Sequence, residues 1–289
     1  MPLLYIAAVL VLPELAALAL LATIQGLTEF LPISSSGHLV LAQSALGLSE
    51  PGLAIEVIVH LGTLLAVFAV YRRDILGILR GMGAGAWREP LLVLLATLPT
   101  VYAGLVHGDQ IEQLFGSPRF AAKMLFVTAA ILLIGEWARR RQLRIGPELD
   151  RAEEAGAASA QAKPGILLPT WWGALAIGLA QSMAIMPGIS RSGSTIAVGL
   201  LVGLAPMAAA RFSFLMAIPA ILGAAVLKLP NALEQESGLS AADLGFSALI
   251  AAIVGWISLR LLLSFLGRGA FAWFALYCVL LGGVALFKL

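Results

Sequence analysis

The sequence predicts an all-α polytopic membrane protein: an inverted-topology repeat of two five-helix halves, each with a re-entrant broken helix pair. Three observations predict it. Apolar residues make up 60% of the 289 and charged ones only 12%, whereas a soluble domain carries about 25% charged residues. Apolar runs recur from end to end, enough for roughly eight to ten helices of about 20 residues or fewer. The two halves also match each other at an offset of 156 residues.

In the first half the runs read as helices at about 13–28, 38–47, 53–71, 90–106 and 120–138. Pro13 and Glu14 suit a helix start, because proline is tolerated at the first helical position and a carboxylate favours the positive end of the dipole. Residues 1–12 then form an apolar lead-in; no Lys or Arg precedes it, so a retained N-terminus is expected. In the second half the runs lie at about 166–186, 194–204, 208–228, 243–264 and 270–288, with Trp171 and Trp172 as an interfacial anchor. Cys278 is the single cysteine, which excludes a disulfide within one chain.

Between the halves, RRRQLRIGPELDRAEEAGAASAQAKPG cannot remain in hydrocarbon and reads as a solvated linker. The expected organisation is a single integral membrane domain over 1–289, with repeat one at 13–138, a cytoplasmic linker at 139–165 and repeat two at 166–289. Basic residues set the orientation. Arg72, Arg73, Arg80 and Arg88 fall in one gap, and Arg139, Arg140, Arg141, Arg144, Arg151 and Lys163 in another. Both gaps, with 265–269, are expected in the cytoplasm. The gaps at 107–119 and 229–243 are mainly acidic and are expected outside, with both termini.

The repeat is clearest at 25–37, where five of thirteen positions are identical to 181–193: Gln25, Ile33, Ser34, Ser36 and Gly37 match Gln181, Ile189, Ser190, Ser192 and Gly193. Five helices per half is an odd number, so the second half enters from the opposite side of the membrane. The runs 38–47 and 194–204 occupy matching places and are too short to cross a core of about 30 Å. Re-entrant half-helices are expected, against the competing reading of a full hairpin at 13–47 with a surface loop.

Two polar motifs interrupt lipid-compatible sequence: QGLTEFLPISSSGHL at 25–39 and MPGISRSGST at 186–195. Ionisable groups at membrane depth are costly, about 3 kcal/mol or more for Arg, and usually mark function. In the first motif Gln25 and Glu29 share a helix face, and Ser34, Ser35 and His38 share a face of the next helix. A histidine can take a hydroxyl proton and a serine can attack phosphorus. Glu29 can orient the imidazole, shuttle a proton or help to hold a divalent cation. In the second motif Pro187 and Gly188 break the helix before Arg191, which Ser190, Ser192, Gly193, Ser194 and Thr195 surround. A helix N-terminus with an arginine fork is a good phosphate cradle.

Plainer readings stand beside these. Ser36, Gly37, Ser192 and Gly193 can serve close helix packing, and His38 alone can be a satisfied polar residue. Glu56 and His60, four apart, can pair with each other. Arg211 can reach the interface by snorkelling.

At the two motifs the chain resembles the undecaprenyl-diphosphate phosphatase family of the bacitracin-resistance type. The elements are Gln25 to Glu29, Pro32 to His38 and Pro187 to Thr195, and the resemblance covers nearly the whole chain. It implies a bacterial inner-membrane enzyme that hydrolyses undecaprenyl diphosphate to the monophosphate and inorganic phosphate, recycling the lipid carrier for cell-wall synthesis. It also implies Ser35 as nucleophile, His38 as its activator, Arg191 as phosphate clamp and Glu29 as essential. Gln25, Ser34, Ser36, Gly188, Ser190, Ser192, Gly193 and Thr195 would line the substrate. Mg²⁺ or Ca²⁺ would support activity, with Glu29 the candidate ligand. This chain has Gln25 where many members have Glu, which puts a paired-carboxylate metal site in doubt. The partners implied are the polyprenyl diphosphate and membrane lipid, with no nucleic acid. Separately, the basic gap at 72–90 fixes the end of helix 53–71 inside, so the re-entrant pair before it, and with it the active site, is expected to open outward. Inverted repeats with broken helices are also a transporter architecture, so a carrier or flippase of polyprenyl phosphate is the alternative.

Overall fold

A computed structural model describes residues 14–47, 53–154, 167–235, 239–266, 269 and 271–289. The lead-in 1–12, the end of the linker and positions 267 and 268 lie outside these residues. Ten helices are present among the described residues: α1 (Glu14–Phe30), α2 (Ser35–Leu46), α3 (Leu53–Gly83), α4 (Arg88–Phe115), α5 (Pro118–Glu154), α6 (Trp171–Met183), α7 (Arg191–Leu201), α8 (Pro206–Gln235), α9 (Ala241–Leu266) and α10 (Phe271–Lys288). Six of them (α3, α4, α5, α8, α9 and α10) carry a stretch long and apolar enough to cross a membrane. The protein is a multi-pass membrane protein.

Helices outrun the apolar runs that announce them. The fifth, read as ending at 138, continues to Glu154, so that 139–154 is helical and not irregular linker. The end of an apolar run marks where lipid ends, whereas a helix stops only where its hydrogen bonds stop. Glu136 takes Arg139 and Arg140 one turn on, and Gln142 donates to the carbonyls of Leu200 and Leu204, so the emerging turns of α5 stay docked. The half-helices begin three residues earlier than expected, because the serines before them are caps. Ser34 and Ser190 each accept from the backbone N–H three residues on, at 3.2 and 3.1 Å. At 12 and 11 residues, α2 and α7 span about 18 and 16 Å. Neither crosses.

The halves interlock. The first half's α1 lies against the second half's α9, while the second half's α6 lies against α4; α3 pairs with α8 and α5 with α10. Close approach rests on glycine facing alanine: Gly26 meets Ala251, Gly62 meets Ala248, Gly135 meets Ala197 and Gly178 meets Ala96. Lipid offers no hydrophobic drive between helices, so dispersion at such small-residue contacts holds them together. The outer surface is apolar, with Leu65, Leu98, Trp172, Val226, Trp273 and Phe287 exposed. Gln25, Glu29, Ser190, Ser192 and Thr195 are buried instead.

Long-range polar contacts sort the segments into two ends. Arg211 pairs with Asp74 and Glu89, and a side chain added at Gly269 would strike Arg139, which brings 72–90, the start of α8 and 269 to basic ends of the bundle. At the other end Lys228 pairs with Glu112 at 3.6 Å, and Arg119 donates to the carbonyl of Leu289. Arg211 is thus tied down by two carboxylates rather than free to snorkel.

Candidate active site

The two breaks in the helices meet. At the first, Pro32 ends α1 and Ser34 carries the chain into α2 with φ 69°, a left-handed conformation uncommon outside glycine. At the second, Gly188 has φ 95°, and a Cβ there would collide with the carbonyl oxygen of Ala121 and lie 2.6 Å from the Cβ of Met124. The loops touch at Gly37 and Gly188, where a Cβ on Gly37 would come within 2.9 Å of the Gly188 Cα. Gly188 also offers its carbonyl to Thr128, whose hydroxyl oxygen accepts from the Ser190 N–H at 3.0 Å. Gly188→Ala is expected to destabilise the protein by about 1–3 kcal/mol through backbone strain alone, seen as a lowered unfolding midpoint in detergent. An unchanged midpoint would mean that the loop yields without effort.

Ser35 and Arg191 are equivalent in the repeat, each the first residue of a half-helix. They converge on one carboxylate. Glu29 accepts from Ser35 Oγ at 2.7 Å and from Gln25 Nε2 at 2.9 Å on Oε2, and from Arg191 Nη2 at 2.5 Å on Oε1. His60 Nε2 is 3.7 Å from Glu29 Oε2, while its Nδ1 lies 2.7 Å from the carbonyl oxygen of Glu56. His60 thus meets the Glu56 backbone through Nδ1 and faces Glu29 through Nε2.

The remaining serines are structural in part. Ser34 and Ser190 cap their helices, Ser36 and Ser192 each lie 3.3 Å from the capping hydroxyl, and Ser192 also contacts the Leu31 carbonyl. Thr195 points back into the bundle, to Arg191 O and the Ser213 hydroxyl. Gly193 abuts its own cap, where a Cβ would stand 3.1 Å from Ser190.

His38 is not brought to this cluster. Its Nδ1 is 2.7 Å from the carbonyl of Ser34, its Nε2 is 2.7 Å from the hydroxyl of Tyr277, and the two rings stack at 5.6 Å. One turn of helix separates Ser35 from His38, and the imidazole leaves that face toward α10. The expected contact between His38 and Ser35 is not made: Ser35 donates to Glu29, and His38 ties α2 to α10.

A cavity of about 360 Å³ opens beside the cluster, lined by Glu29, Ser35, Ser36, His60, Ser190 and Arg191 at its inner end. Ile111, Glu112, Phe115, Ile221 and Lys228 line it toward the end of the bundle that carries 107–119. Three buried polar groups lining the cavity lack a partner: Arg191 Nη1, Gln43 Nε2 and Gln181 Oε1. An unmet buried group costs about 1–3 kcal/mol, and these three belong to residues that surround one cavity. Of these, the sequence singles out only Arg191 as a site residue. Gln181 is visible in it only as the repeat twin of Gln25, and Gln43 and Thr100 carry no signal.

Glu29, the candidate ligand for a divalent cation, stands without a second carboxylate on its helix face. Among the described residues no group of three or more His, Cys, Asp or Glu side chains is placed to hold a metal. Glu29 already accepts from Ser35, Gln25 and Arg191, and its helix neighbour is the amide of Gln25.

Comparison with known proteins follows the geometry. Residues 18–284 match the family described as bacitracin resistance protein BacA. An undecaprenyl-diphosphatase of Desulfatibacillum aliphaticivorans is 38% identical over 288 residues, covering 92% of this chain and 96% of its own. The undecaprenyl-diphosphatases of Carboxydothermus hydrogenoformans and Desulfosudis oleivorans are 39% and 40% identical, covering 91% and 92% of this chain and 93% and 95% of their own.

Proposed function

This chain belongs to the bacitracin resistance protein BacA family, and we propose on that basis that its cavity is where undecaprenyl diphosphate is hydrolysed to the monophosphate and inorganic phosphate. The protein is an undecaprenyl-diphosphatase, and the relatives compared carry that name rather than a carrier's. The observation that best supports this reading is Arg191, with one amino group on Glu29 and the other buried without a partner. By a small rotation of its side chain, a guanidinium so held can offer its unpaired N–H groups to the oxygens of a terminal phosphate.

Ser35 is the nucleophile in this reading. Ser35 Oγ donates to Glu29 Oε2 at 2.7 Å, so the carboxylate accepts the proton as Ser35 Oγ bonds to the terminal phosphorus. The bridging P–O bond breaks, and the lipid monophosphate departs with the electron pair. Glu29 passes that proton to the departing monophosphate; water then attacks the phosphoserine, Glu29 takes its proton and returns it to Ser35 Oγ as the Oγ–P bond breaks, and inorganic phosphate leaves. Arg191 and the N-termini of α2 and α7 stabilise the charge that builds on the phosphoryl oxygens. His38 positions α2 through Tyr277. The diphosphate carries any Mg²⁺ or Ca²⁺ in as its own counter-ion, and no step depends on a protein-held metal.

The enzyme sits in the bacterial inner membrane, with its cavity opening outward, where the carrier is left as the diphosphate once its cargo has been transferred. Supporting this, the cavity runs toward the acidic gap at 107–119 and away from the arginines of 72–90, which the positive-inside tendency keeps in the cytoplasm. Recycling the carrier serves cell-wall synthesis. The test is hydrolysis by sealed, right-side-out vesicles given a membrane-impermeant, short-chain prenyl diphosphate. Phosphate is expected outside the vesicles, at a rate that Ser35→Ala lowers at least about a hundredfold. Activity only in opened or inverted vesicles would place the entrance on the other face, and full activity in Ser35→Ala would remove the serine from the mechanism.

A further inference from the structure

The repeat breaks at one place that bears on the substrate. Gln25 and Gln181 are equivalent, and each lies four residues before a second equivalent pair, Glu29 and Ile185. In the first half the Gln25 amide holds the carboxylate one turn on. In the second half there is no carboxylate to hold. The Gln181 amide nitrogen donates instead to the hydroxyl of Thr100 on α4, at 3.1 Å, and its carbonyl oxygen is buried without a hydrogen-bond partner. Gln181 is 2% exposed, and both it and Thr100 line the cavity that holds Ser35 and Arg191.

A diphosphate needs two sets of partners. Arg191 meets the terminal phosphate, the one that is removed. The phosphate that stays on the lipid also carries charge and must be held in line, and Glu29 repels it from the first half. We propose that Gln181 and Thr100 form the subsite for this retained, lipid-linked phosphate, an inference that rests on the hydrolase reading above. Thr100 can donate or accept, so the Gln181 amide can turn by half a revolution, keep its hydroxyl partner and offer an N–H to a phosphate oxygen. Both groups are neutral. A neutral subsite aligns the diphosphate while Arg191 anchors it, then releases the monophosphate once the anchored group has gone. A second buried cation there would hold the product.

Two probes separate the subsites: inorganic phosphate reports on Arg191 and a short-chain prenyl monophosphate reports on Gln181 and Thr100. Gln181→Leu is expected to raise KM for the short-chain diphosphate, and the inhibition constant of the monophosphate, each by about tenfold, equivalent to about 1.4 kcal/mol. Its inhibition by inorganic phosphate stays within about threefold of wild type. Thr100→Val shifts the same two constants less. Arg191→Lys gives the opposite pattern, weakening inorganic phosphate more than the monophosphate. Direct binding of the prenyl monophosphate to Ser35→Ala, with and without Gln181→Leu, tests the subsite without turnover, so its failure is distinguishable from failure of the hydrolase reading. Equal monophosphate affinity in those two proteins overturns the proposal, as does a Gln181→Leu enzyme whose kcat falls while KM and monophosphate inhibition stay unchanged. Should Gln181→Leu not fold, Gln181→Glu keeps the shape and adds a charge; it must then weaken the monophosphate more strongly than Thr100→Val does.

Discussion

Arg191→Lys is expected to lower kcat/KM at least tenfold and Arg191→Ala about a thousandfold, measured as phosphate released from a prenyl diphosphate in detergent. The guanidinium does two things at once: Nη2 holds Glu29 at 2.5 Å, and Nη1 is buried without a partner beside the cavity. An ammonium is a single point of charge and cannot meet the carboxylate and the phosphate along two fixed directions. Tenfold corresponds to about 1.4 kcal/mol of lost transition-state stabilisation. Removing the charge altogether removes a donor aimed at developing negative charge, an interaction worth about 3–4 kcal/mol in comparable sites. The Phe214 ring, 5.9 Å from the guanidinium carbon, keeps that side of Arg191 dry and the interaction strong. Turnover of Arg191→Lys near the wild-type rate would mean that the site uses only a point charge.

Much of this was legible in the sequence, for identifiable reasons. Apolar runs announce every helix because lipid demands them, and the offset repeat exposes Ser34 with Ser190 and Ser36 with Ser192 because caps need small polar side chains at fixed places. Glu29 and Arg191 stand out because charge in an apolar chain is expensive. What the sequence hides is direction around a helix axis. Ser35 and His38 are a turn apart, and only packing of α2 against α1 and α5 decides that one faces Glu29 while the other reaches Tyr277 on α10. His60 is ambiguous for the same reason, since a partner four residues away is as plausible on paper as Glu29, 31 positions earlier. Helix ends are hidden too. The arginine-rich turns of α5 read as linker because their partners, Glu136 behind them and the carbonyls of α7 beside them, lie across a turn or across the fold.

Glu29→Gln is expected to abolish hydrolysis, by about a thousandfold or more, and to destabilise the protein by about 3 kcal/mol, through two separable causes. The first is chemical: the amide cannot take the Ser35 proton, and base catalysis of this kind supplies about two to four orders of magnitude. The second is electrostatic. Glu29 is 7% exposed, and the Arg191 side chain 16%, so removing the carboxylate leaves a cation in a poorly solvated place. Breaking one partner of a buried pair costs about 3–5 kcal/mol, and the open cavity beside Arg191 argues for the lower end. A double substitution separates the two. Glu29→Gln with Arg191→Met removes both charges, and its unfolding midpoint in detergent is expected to return to within about 1 kcal/mol of wild type, because the stranded cation has gone. Phosphate release does not return, since neither proton acceptor nor clamp remains. If the double variant stays as unstable as Glu29→Gln alone, then Glu29 supports the fold through Gln25, Ser35 and His60 rather than through its charge on Arg191.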